Sequence, residues 1–192
     1  ISPLMAPIVG IGYGLGNSNP KLLSKAARLF LIQVTIGIIG ATIYFFILPL
    51  NTASAQLLAR TEPTLWDVLI AFFGGFAGVI SSAKKDGGNV VPGVAIATAL
   101  MPPLCTVGYG ISHLNASFIL GAGYLFLINA FFIALATATG TIFFRIRSGE
   151  RLNVSLRQQV LIVIISIIIV IPSSISAYTI VHNSFVDTQL SQ

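Results

Sequence analysis

The stretch TALMPPLCTVGYGI, residues 98–111, sets two adjacent prolines and two glycines inside an apolar run, and a near copy, SPLMAPIVGIGYGL, occupies residues 2–15. Placing Leu4 on Leu100 fixes an offset of 96 residues, at which Met5 meets Met101, Pro7 meets Pro103, Gly12 meets Gly108, Tyr13 meets Tyr109 and Gly14 meets Gly110. The match is gapless and continues beyond the motif. LFLIQ at 29–33 falls on LFLIN at 125–129, so Gln33 pairs with Asn129, and Leu65 falls on Leu161. The chain is read as one transmembrane domain over 1–192 made of two copies of a single unit. Repeat one covers 1–87 with a truncated start, repeat two covers 88–182, and a tail follows at 183–192. Because the chain opens at Ile1 inside the motif, it reads as an excerpt of a longer protein.

The solvent of this unit follows from its charges. Charged residues make up 8% of the chain and hydrophobic ones 55%, with a mean hydropathy of +0.94. An ordinary soluble domain carries about one quarter charged residues because its surface faces water. Six apolar segments emerge: Ile1–Leu15, about Ala26–Leu48, Leu65–Ser82, Val90–Ile111, Phe118 to about Phe144, and Val160–Val181. A hydrocarbon core takes roughly 20 apolar residues of helix. In lipid every backbone polar group needs an internal partner, so only helices or closed barrels span, and the runs lack the alternation of barrel strands. The expected fold is an all-α polytopic membrane protein of about six transmembrane segments, the first truncated.

The few charges alternate along the chain. Lys21, Lys25 and Arg28 follow segment one, Lys84 and Lys85 follow segment three, and Arg145, Arg147, Arg151 and Arg157 follow segment five. The other connections are poor in basic residues. The positive-inside rule places the linkers at 16–25, 83–89 and 145–158 in the cytoplasm of a cell inner (cytoplasmic) membrane protein, with 49–64, 112–117 and the tail outside. A unit of three segments is odd, so its second copy enters from the opposite face. That is the pattern of inverted-topology repeats, which in transporters bring two discontinuous helices together near the midplane.

The prolines are where such a discontinuity is expected. Proline has no amide hydrogen and crowds the preceding turn, so Pro102 and Pro103 should interrupt or kink segment four, and Pro3 and Pro7 segment one. Backbone groups freed in hydrocarbon are costly unless protein, water or a ligand meets them. The candidate solute pathway therefore comprises Ser2, Pro3, Met5, Pro7 and Tyr13 from one motif and Thr98, Met101, Pro102, Pro103 and Tyr109 from the other. Gln33 and Asn129 join them as uncharged polar residues inside segments; they line the pathway or bond between helices.

The functional expectation is a transporter or channel for a small solute or ion. The alternative is a non-transporting scaffold or signalling module that anchors a soluble domain. A polar cavity near midplane would favour the first, and a dry, packed centre the second. Expected partners are the lipid bilayer, a small solute or ion, and a second copy in a homo-oligomer. Nucleic acid is not expected, since the basic residues sit at membrane boundaries with no aromatic surface beside them. No cofactor, metal site or enzymatic activity is expected: His113 and His182 lie in loops, far apart and with no acidic cluster, and no serine–histidine–acid or cysteine–histidine set shares an apparent location. No ionisable side chain lies mid-segment, which disfavours a carboxylate proton relay, and Asp67 reads as a solvated end residue. Cys105 stands alone, so no internal disulfide forms.

GVAIATALMPPLCTVGYGI at 93–111, followed by LFLIN at 125–129, resembles the hydrophobic family called domain of unknown function 389. The similar pattern comprises Gly93, Val94, Ala95, Ile96, Ala97, Ala99, Leu100, Pro102, Pro103 and Leu104, and, in the earlier copy, Pro3, Leu4, Met5 and Pro7. The resemblance extends over roughly 1–146. It implies an integral membrane protein, often with a soluble portion elsewhere in the full chain, and it supplies no catalytic residues.

Overall fold

A computed structural model describes residues 3–48, 54–83 and 90–148. The sixth apolar segment, the tail and Ser2 lie outside the described residues. The described chain is helical: α1 (Met5–Gly16), α2 (Pro20–Ile47), α3 (Ala55–Leu58), α4 (Leu65–Ala83), α5 (Val90–Ser112) and α6 (Ala116–Arg147). Three of these, α2, α5 and α6, are long and apolar enough to cross a membrane. α4, at 19 residues, rises about 28 Å, and α1 is the short one at 12 residues.

Helix starts follow local chemistry. α2 begins at Pro20, six residues before the hydrophobic run at Ala26. Asn19 accepts from the Leu22 amide at 3.1 Å, and Pro20 takes a first-turn position where its missing N–H is no loss. Lys21 and Lys25, expected in a linker, therefore stand on a helix. Asn115 caps α6 in the same way through the Ser117 amide. At the head of α4, Thr64 and Asp67 bond reciprocally, and Arg60 pairs with Asp67 at 3.4 Å. Asp67 is thus a first-turn capping residue.

The prolines do less damage than their number suggests. Pro7 is the third residue of α1, where amides lack intrahelical partners anyway. Pro102 and Pro103 do not interrupt α5, which runs through both as one helix. The expected interruption at this pair is not seen, and a neighbouring side chain takes up the carbonyl that Pro103 releases, as shown below.

α1 packs on α2 and α6, α5 packs on α6 and α2, and α4 lies against α6 and α5. The centre is apolar, with Leu4, Ile8, Ile96, Leu100, Phe126 and Ile133 in one buried cluster. Lipid is as apolar as leucine, so helices in a bilayer associate through close packing more than through the hydrophobic effect. Small residues permit it here. A Cβ on Gly12 would overlap Thr137 and the Ala134 carbonyl of α6, and one on Gly108 would overlap Ala41 and the Thr42 amide of α2. These two contacts are related by the 96-residue offset at both ends, since Gly12 corresponds to Gly108 and Ala41 to Thr137.

The connections obey the same offset. Ser18 has φ 50° and Leu114 φ 51°. The Asn17 amide donates to Tyr13 O at 2.9 Å and the His113 amide to Tyr109 O at 3.1 Å; Asn19 N bonds Gly14 O at 2.9 Å, and Asn115 N bonds Gly110 O at 2.8 Å. Phe30 and Phe126, also counterparts, stack on each other with centroids 5.9 Å apart and planes 13° from parallel.

Candidate functional site

The residue that organises the middle of the bundle is Asn129. In an uninterrupted helix the amide of residue 103 would donate to the carbonyl of Ala99, and Pro103 has no amide hydrogen to give. Asn129, on α6, donates from Nδ2 to that carbonyl at 2.8 Å. The side chain is 1% exposed, and its other atom, Oδ1, has no hydrogen-bond partner among the described residues. A proline on one helix and an amide side chain on the next thus form a single unit. Asn129 lies about 20 Å along α6 from its start, well inside the hydrocarbon.

Among the described residues two more buried polar atoms lack partners, Gln33 Oε1 on α2 and Tyr124 OH on α6. Gln33 is the offset counterpart of Asn129, and each follows its stacked phenylalanine, Phe30 or Phe126, by three residues. Several threonine hydroxyls bond to carbonyls of their own helix. Thr106 Oγ1 bonds Pro102 O at 2.9 Å, and Thr137 Oγ1 bonds Ile133 O at 2.8 Å and reaches Gly75 O at 3.4 Å.

The sequence-derived candidates divide in space. Pro103 and Met5 are buried, and Pro7 is buried beside them. Met101 and Tyr13 pack against the central cluster, half-buried, and Pro102 is half-buried. Tyr109 is buried among aromatic rings, edge-on to Phe45 and Phe118 and stacked on His113 at 4.2 Å. Thr98 and Pro3 are exposed, and the Thr98 hydroxyl is occupied by Ala95 O at 2.9 Å. Ala99, whose carbonyl meets Asn129, was not among the candidates. Its signal was available, since it lies four residues before Pro103. Phe30 and Phe126 were also legible as an offset pair, but nothing in sequence says that counterparts touch.

At one end of the bundle the basic residues gather. Arg145, near the end of α6, donates to Gly16 O at 3.1 Å, placing a cation on the C-terminal carbonyls of α1. The turn that follows leads directly to Lys21, Lys25 and Arg28, which line an open groove of about 620 Å³ on α2 with Pro20, Ser24 and Leu29. A second surface groove, of about 470 Å³, is apolar and lined by Trp66, Leu69, Ile70, Phe73, Gly74 and Ala95.

The family model for the Domain of unknown function (DUF389) matches residues 1–135. The chain belongs to the DUF389 family. An uncharacterised protein of Methanocaldococcus jannaschii is 30% identical over 138 residues, covering 71% of this chain and 42% of that protein. The chain thus spans less than half the length of this DUF389 relative. No solved structure matches. The matched DUF389 region contains both proline motifs, Gln33 and Asn129, and the apolar helices make the chain a membrane protein.

Proposed function

We propose that this chain is the membrane core of a transporter or channel for a small solute or ion. In this reading it consists of two inverted-topology repeats, 1–87 and 88–182, and the pathway runs beside the proline motifs of α1 and α5. One observation carries it: Asn129, fully buried mid-helix, spends one end on the carbonyl released by Pro103 and leaves Oδ1 without a partner among the described residues. An unmet acceptor in hydrocarbon costs about 1–3 kcal/mol, so a solute that donates to it is favoured there. The unmet amide atoms, Asn129 Oδ1 and Gln33 Oε1, are both acceptors. That chemistry suits a small cation or a neutral hydrogen-bond donor over an anion.

The repeat reading draws support from the paired turns, the paired glycine contacts and the mutual Phe30–Phe126 stack. With Lys21, Lys25, Arg28 and Arg145 gathered at one end, that end is read as the cytoplasmic face of the inner membrane, together with the linkers at 16–25, 83–89 and 145–158. The reading is of passage, not of catalysis.

Reconstituted vesicles holding the purified full-length protein should move at least one small monovalent cation or amine from a panel of potassium, sodium, ammonium and methylammonium. Asn129→Leu should lose that flux while the protein keeps its helical content and elution volume. Wild-type protein that moves none of them would sink the reading.

The scaffold alternative has its own support, the apolar packing at the centre of the described residues around Leu100, Phe126 and Ile133. In that case Asn129 serves α5 alone, and the chain anchors a soluble portion of a longer protein. Loss of helix packing in Asn129→Leu, with no flux in the wild type, is its expected signature.

A further inference from the structure

α2 carries two chemistries along a single stripe. Lys21, Lys25, Arg28, Ile32, Ile36 and Ile39 follow one another at spacings of three or four, which stacks them on one face of a helix. All of them are exposed among the described residues. The first three are cations and the rest are isoleucines, so the stripe turns from basic to apolar between Arg28 and Ile32. From Arg28 to Ile39 the helix rises about 16 Å, close to half of a hydrocarbon core about 30 Å thick. Ser24 and Leu29 complete the groove around the cations, with Pro20 at its end.

Among the described residues this charge is not matched from within. Lys21, Lys25 and Arg28 form no ion pair there, and Asp67 is held by Arg60. The described carboxylates, Glu62 and Asp67, belong to the other end of the bundle: Thr61 packs on Gly121 near the start of α6, whereas Arg145 at its far end meets the α1 carbonyl that leads into α2. The helix does not need the cations either. α6 starts from the matching turn with the same asparagine cap, and its corresponding positions are Ser117, Gly121 and Tyr124. Topology asks for positive charge near a cytoplasmic linker, but not for its alignment above an apolar stripe.

We infer that this stripe holds an anionic phospholipid of the surrounding leaflet, its phosphate among Lys21, Ser24, Lys25 and Arg28 and its acyl chains along Ile32, Ile36 and Ile39. The guanidinium fork of Arg28 can take two phosphate oxygens, the lysines act as point charges, and the Ser24 hydroxyl is a further donor. A zwitterionic headgroup brings its own cation and gains less from the three charges. The apolar continuation decides for a lipid over a free phosphate ion, which has no use for it. The inference stands apart from what the chain passes and from the repeat reading.

Native mass spectrometry of the purified full-length protein tests it, with equal amounts of phosphatidylglycerol and phosphatidylcholine of the same acyl chains added in detergent. The wild type should retain the first about tenfold over the second. The triple variant Lys21→Gln, Lys25→Gln, Arg28→Gln should bring that ratio to within about twofold. Arg28→Gln alone should lower it about fivefold, which decides the matter if the triple variant does not fold. Arg60→Gln, at the opposite end, should leave the ratio unchanged, and excess glycerol phosphate, a headgroup without acyl chains, should not displace the lipid. Equal retention of the two lipids by the wild type overturns the inference, as does an unchanged ratio in Arg28→Gln. An equal loss in Arg60→Gln would reduce the effect to overall charge and end it too. Displacement by glycerol phosphate would make the groove a site for a soluble phosphate. Protection of Lys21 and Lys25 from an amine reagent in lipid-stripped protein would give the cluster to another part of the chain, and either result removes the lipid.

Discussion

At the residue scale, the pairing of Pro103 with Asn129 explains how a helix carries a proline pair through hydrocarbon without breaking. The carbonyl of Ala99 loses its amide and gains a side-chain donor. This arrangement predicts coupling. Asn129→Ala should destabilise the protein by about 1–3 kcal/mol in detergent unfolding, because it leaves a buried carbonyl unmet. In a Pro103→Ala background the amide of residue 103 reclaims that carbonyl, so the same change should cost distinctly less. A double-mutant cycle reads the difference, and equal costs in both backgrounds would show that the bond is energetically idle. Leu114 offers a second residue-scale prediction. It holds φ 51° with its side chain 91% exposed, a backbone region that crowds any Cβ. Leu114→Gly should therefore raise thermal stability by about 1 kcal/mol, with little burial to lose.

At the element scale, helix ends and helix contacts have separate causes. α2 and α6 each start at an asparagine that holds a first-turn amide, at positions 19 and 115. Asn19→Ala and Asn115→Ala should each cost about 1 kcal/mol, measured by thermal unfolding in detergent. The contacts between helices depend on missing side chains instead. A side chain at Gly108 would run into the backbone of α2 and one at Gly12 into that of α6. Gly108→Val and Gly12→Val should each destabilise by at least about 1–3 kcal/mol, as overpacking does, and more than valine at Gly40 of α2, where a Cβ meets nothing within 4 Å. Helical content should survive while the elution profile broadens, because the element forms and its docking fails.

At the scale of the whole molecule, α1 packs on both α2 and α6, and α5 on both α6 and α2, so contacts run within and between the two proposed halves. In the proposed repeat reading, such contacts let two odd-numbered units enter the membrane in opposite senses and still share one centre. It predicts sidedness. In a Cys105→Ser background, Asn17→Cys and His113→Cys should react with a membrane-impermeant thiol reagent from opposite faces, the first from the cytoplasmic side. Reaction from one face for both would end the inverted reading. The same scale holds the tension between the two functions. The centre of the described bundle is apolar, yet α2 and α6 carry a few buried polar atoms that no described residue meets.

Much of this was legible in the sequence because lipid leaves few alternatives. An apolar run that cannot leave amides unpaired becomes a helix, so α4 and α5 begin where their runs do, and the proposed repeat rests on an alignment of the chain with itself. The start of α2 was misread because hydropathy reports the solvent of a segment, whereas the helix begins at a cap, Asn19–Pro20, six residues upstream. The proline pair was misread for a related reason: proline dictates which bonds a helix loses, but whether the helix breaks depends on what stands beside it. Only the tertiary structure supplied Asn129 as that neighbour. Only it set Phe30 against Phe126 and turned Thr98 outward, because those outcomes depend on how helices face one another, and a repeat fixes correspondence without fixing contact.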